Sequence, residues 1–136
     1  MAPSSVRMDS MERYVDGFVL PVPEDSIDAY RELAEAAGEI WMDHGALAYF
    51  EGVGDDLTPD TGDVSLRTFP ALANAADGES VIFAFILYES RDHRDRVNRR
   101  VMDDPAMAGP MPEAELPFEM ERMAHGGFRS LVNFEA

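Results

Sequence analysis

Apolar and polar positions alternate along residues 13–22 (RYVDGFVLPV), so this stretch predicts a strand. Tyr14, Asp16, Phe18 and Leu20 fall on one face, and Val15, Gly17 and Val19 on the other; Pro21 and Pro23 end it. The period then changes. Over residues 24–44, Ile27, Tyr30, Ala34, Ala37 and Trp41 recur at three- and four-residue steps, with Leu33 and Ile40 widening the stripe, which predicts an amphipathic helix. Glu24 and Asp25 sit in the first turn, where the helix dipole favours anions. His44 closes the last turn and Gly45 follows as a C-terminal cap. Residues 46–54 (ALAYFEGVG) predict a second strand. Residues 55–79 are polar, turn-rich and too long for a simple connection; within them Val64–Phe69 predicts a short edge strand and Pro70–Ala76 a helical turn.

Residues 80–88 (SVIFAFILY) are nearly all apolar, and their Val, Ile, Phe and Tyr content selects strand over helix. Ser90 is a good N-cap for a helix over 90–104, where His93, Val97 and Val101 share a face and Pro105 is the stop. Residues 105–125 hold four Pro and four Met (Met107, Met111, Met120 and Met123) and predict an ordered loop or flap. Residues 126–134 (GGFRSLVNF) predict the last strand. Residues 1–12 lack periodicity and predict a flexible N-terminal extension to a single domain over 13–136.

The order strand, helix, strand, strand, helix, strand is the α+β, ferredoxin-like βαββαβ plan: a four-stranded antiparallel sheet with two helices on one face. The first and third strands are central in that plan. Two helices cover only one sheet face, yet Val81–Tyr88 is apolar on both. A second copy packed face to face is the simplest cover, so the chain is expected to form a homodimer, a dimeric α/β barrel.

Charge sharpens the picture. The 136 residues carry 27 acids against 11 basic residues, for a net charge of −16, and every basic residue is Arg. Self-repulsion at this density destabilises a compact chain in dilute buffer, and molar salt screens it. The chain is therefore expected to be cytoplasmic in a salt-accumulating organism. Nucleic acid is not expected as a partner, since binding phosphate backbones needs clustered cations. Arg91, Arg94, Arg96, Arg99 and Arg100 are interspersed with Asp92, Asp95, Asp103 and Asp104, the pattern of a solvated, ion-paired helix. No apolar run approaches the length of a membrane span, so no membrane partner is expected. Cys is absent, which excludes disulfides and thiolate chemistry.

Three His are present: His44, His93 and His125. They fall on separate elements without an i,i+4 pair, so neither a metal nor another cofactor is expected. Asp16, a carboxylate inside a central strand, has two readings: a general base with a raised pKa, or an ion pair with an Arg on a neighbouring strand such as Arg129. Asp16, His44 and His125 are the candidate catalytic residues. Trp41, Tyr49, Tyr88 and Glu119 are the candidate substrate-binding residues, although aromatics at such spacing also serve as plain core. The Met-rich flap suits closure over an apolar ligand.

Four stretches together resemble the domain of unknown function family 1428: YVDGFVLPVP (14–23), WMDHGALAY (41–49), SRDHRDRVNRRVMDDP (90–105) and PFEMERMAHGGF (117–128). The resemblance spans about residues 13–132 and implies a dimeric α/β barrel whose activity is unestablished. The pair Phe118-Glu119 stands where the family usually has Phe-Asp. By analogy with cofactor-free monooxygenases and lactone isomerases of related shape, the resemblance suggests a cavity for a small apolar organic molecule. A binding or interaction module without chemistry is the alternative.

Overall fold

The computed structural model describes residues 11–107 and 116–136. Four strands are joined through two long helices and one short one: β1 (Tyr14–Pro23), α1 (Ile27–Asp43), β2 (Ala48–Val53), α2 (Phe69–Ala73), β3 (Glu79–Tyr88), α3 (Arg91–Asp103) and β4 (Ala124–Arg129). The strands form one antiparallel sheet in the order β2-β3-β1-β4. The two predicted central strands are central.

Local chemistry sets the boundaries. A 3-10 turn over Glu24–Ser26 leads from Pro23 into α1. Gly45 takes φ 109° just after α1 and donates its N–H to the Met42 carbonyl, a geometry that costs glycine nothing. Ser90 caps α3 by accepting the His93 N–H at 3.1 Å. Thr68 caps α2 by accepting the Ala71 N–H at 3.3 Å.

Register decides which side chains meet. Asp16 lies opposite Ile86 on β3 and Gly127 on β4, and Phe18 opposite Ala84 and His125. Across β3, Tyr49 lies opposite Ile86 and Glu51 opposite Ala84. Side chains alternate between faces, so two rows cross the helix-covered face: Gly127–Asp16–Ile86–Tyr49 and His125–Phe18–Ala84–Glu51. The core lies between this face and the two long helices. Tyr14, Ile86 and Tyr88 pack with Val97 and Val101 of α3, while Leu20, Val22, Ile82 and Ala84 pack with Tyr30 of α1.

The opposite face carries Phe50, Phe83, Phe85 and Phe128. Phe50 and Phe83 are about half exposed and Phe128 is 64% exposed. Phe50 stacks on Phe85, and Phe83 meets Phe85 edge-on. Only one end is covered among the described residues: Phe69 of α2 packs edge-on against Phe83.

Three expectations are corrected. Val64–Phe69 is not an edge strand; residues 64–67 are irregular and exposed, and the stretch joins no ladder of the sheet before Thr68 caps α2. The last strand is Ala124–Arg129 rather than 126–134, because its partner β1 begins at Tyr14, opposite Arg129. The helical turn at Pro70–Ala76 is Phe69–Ala73. Residues 1–10 of the predicted extension, and residues 108–115 of the predicted flap with Met111, lie outside the described residues.

Candidate functional site

A cavity of about 280 Å3 lies between the helix-covered face of the sheet and α1. Small side chains make the room. Ala84 forms its floor between Phe18 and Glu51, and Ala34 and Ala37 of α1 stand opposite. Leu33, Trp41 and Ile86 complete the walls, while Met107, Phe118 and Met123 close over it from the segments flanking residues 108–115.

Among the described lining residues Glu51 is the one charged group. Tyr30 Oη donates to its Oε1 at 2.5 Å and Tyr49 Oη to its Oε2 at 2.6 Å. Burial first, and the hydrogen bond to Glu51 second, push both phenols above the ordinary tyrosine value. Both therefore stay protonated and keep donating. Tyr49 is held from behind by Gly38, where a Cβ would stand 3.0 Å from the ring. On the other side of Glu51 lies a more open groove of about 730 Å3 between α1 and β2. Tyr30, Ala34, Tyr49 and Glu51 line both spaces and form the wall between them.

The predicted residues scatter around this cavity. Trp41 and Tyr49 line it. Trp41 is oriented by Asn98 of α3, whose Oδ1 accepts from Trp41 Nε1 at 3.2 Å and from Tyr88 Oη at 3.4 Å. Tyr88 is fully buried behind that pair, and burial followed by the nearby Asp16 charge raises its phenol. Asp16 sits one row away, 8% exposed, with Oδ1 accepting from Arg94 Nη1 at 2.6 Å. Its ion-pair partner is thus on a helix, not Arg129 on the neighbouring strand: α3 brings Arg94 over the helix-covered face and against the Tyr14 ring, 5.0 Å from its centroid. Burial raises the Asp16 carboxyl despite the opposing pull of Arg94. His125 stacks on Phe18 at 6.1 Å and is exposed. His44 lies at the far end of α1, its Nε2 2.7 Å from Asp104 Oδ2. Glu119 is exposed beside Arg122 at 3.6 Å. Asp16, His44 and His125 do not converge on one reacting atom.

Sequence reasoning passed over Glu51 and Tyr30 as functional groups. The signal was present: Tyr49 and Glu51 are two apart in a strand and so share a face, and Tyr30 lies in the apolar stripe of α1.

The family model for a protein of unknown function, DUF1428, matches residues 13–120. The chain belongs to the DUF1428 family. The uncharacterized protein YbaA of Escherichia coli K12 is 38% identical over 121 residues, covering 89% of this chain and 98% of YbaA. YbaA of Shigella flexneri matches over the same span at the same identity. The DUF1428 match takes in Glu51 with Tyr30 and Tyr49, and also Asp16 and Arg94, whereas His125 and β4 lie beyond it. No helix among the described residues of this DUF1428 chain is long and apolar enough to cross a membrane.

Proposed function

We propose that this chain is a homodimeric α/β barrel that binds a small apolar organic molecule between its sheet and α1, with no metal taking part. The observation that carries this reading is the 280 Å3 cavity, walled among the described residues by aliphatic and aromatic side chains, with Glu51 and the Tyr30 and Tyr49 hydroxyls as its polar end. A cavity of about 150 Å3 takes benzene, so this one has room for a somewhat larger ring compound. Such a space, apolar with a few placed polar groups, is the ordinary form of a small-ligand site. Its Met107 and Met123 adapt to irregular shapes. Binding is favoured over catalysis because Asp16, His44 and His125 do not line the cavity: Asp16 pairs with Arg94 one row away and His44 with Asp104 at the far end of α1. The homodimer is favoured by Phe50, Phe83 and Phe128, which among the described residues stay about half or more exposed on the face away from the helices, in a chain of net −16.

Titration with toluene and naphthalene, followed through the indole N–H resonance of Trp41, tests the site. Saturable shifts are expected in the native chain, and their loss in Ala37→Phe, which fills the cavity. An unmoved Trp41 signal at saturating toluene would overturn the proposal.

A further inference from the structure

We infer that the molecule held in this cavity carries a protonated amine at one end of its apolar body, with Glu51 as its counter-charge. The inference rests on the binding function proposed above and names the class of ligand. The polar end of the cavity is built from acceptors. Tyr30 and Tyr49 each direct their single hydroxyl proton at Glu51, one to each carboxylate oxygen. The two hydroxyls then have only lone pairs to offer inward, and each carboxylate oxygen keeps a further acceptor position. The indole N–H of Trp41 is already given to Asn98. A head group bearing N–H donors matches this array, and a carboxylate head meets only other acceptors.

Charge narrows the class from donors in general to a cation. Among the described residues no Arg or His stands in ion-pair range of Glu51. A carboxylate with two phenol donors and no cation, at the mouth of an apolar space, gains most from an ammonium. The groove behind Glu51 points the same way. Glu35, Glu39 and Asp43 line it, and the one cation among its described lining residues, Arg31, is paired to Asp28 at 3.3 Å. Such a lining adds negative potential around Glu51, which favours a cation beside it. The aromatic rings of Trp41 and Tyr49, 6.4 Å apart in the cavity lining, add faces that attract a cation.

Three probes of nearly one shape test it: benzylamine, toluene and benzoate, each titrated calorimetrically into the full chain and into Glu51→Gln. The expected order in the native chain is benzylamine tighter than toluene by about tenfold or more, the scale of a charge-assisted hydrogen bond, with benzoate weakest. In Glu51→Gln the advantage of benzylamine over toluene should vanish. Toluene binding as tightly as benzylamine in the native chain, or a preference that survives in Glu51→Gln, overturns the amine inference and leaves the cavity function standing. Binding of none of the three overturns both. Should Glu51→Gln fail to fold, the ranking in the native chain decides alone.

Discussion

Arg94 reaches Asp16 from the start of α3 and is itself held by Asp95 at 2.8 Å and by the Tyr14 ring. Both members of the Arg94–Asp16 pair are largely shielded from water, with side chains 18% and 12% exposed. Removing one partner from such a pair leaves a desolvated charge, whereas removing both does not. Arg94→Leu should therefore lower unfolding free energy by about 3 kcal/mol, and Asp16→Asn added to it should restore part of the loss. Urea denaturation of the single and double variants checks this; equal stabilities would show that the pair is solvated. Gly127 belongs to the same cluster. A Cβ there would collide with the Tyr14 hydroxyl, so glycine is what lets β4 pass beneath the ring.

At the scale of elements, Arg122 ties the turn before β4 to the start of β3. Its Nη1 and Nη2 donate to the two Glu79 oxygens at 2.7 and 2.9 Å, and the Ala76 N–H adds a third bond at 2.8 Å. The Arg122 hydrogen bonds first, and the Ala76 amide second, hold the Glu79 carboxyl at about 2, below its ordinary 4.5. A lowered carboxyl stabilises the fold above the unfolded value, and that contribution fades as pH falls from 4.5 toward 2. The melting temperatures of the native chain and Arg122→Gln should thus differ at neutral pH and converge toward pH 2; a gap independent of pH would exclude the linkage. Most elements could be read from the chain. Alternation in β1, the stripe of α1 and the Ser90 cap of α3 are local signals, and each element formed within a few residues of its expected place. The end of β4 could not be read so, because it depends on where β1 starts, and Val64–Phe69 has strand-like residues but no neighbour to pair with. The cavity was legible only in part. Trp41 and Tyr49 stood out as aromatics, but that Glu51 meets Tyr30 depends on how α1 crosses β2.

At the scale of the molecule, the apolar character of Val81–Tyr88 on both sides resolves into two different surroundings. Ile82, Ala84, Ile86 and Tyr88 are buried under the helices, whereas Phe83 is 47% exposed on the other face. Fully burying an exposed large side chain contributes about 1.5–3 kcal/mol; Phe50 and Phe83 are already about half covered, so the proposed dimer would gain about half of that from each. In molar KCl, where charge repulsion between the copies is screened, light scattering should give twice the 15.1 kDa chain mass, and Phe83→Glu should return it to one chain. A native particle of single mass in strong salt would remove the dimer.

The short helix α2 limits what can rest on that face. Because Phe69 packs on Phe83 at one end of the sheet, a flat body laid on the phenylalanine face meets α2 there as a step. The step acts as a doorstop: it would limit how far a neighbour laid on this face slides along the strands.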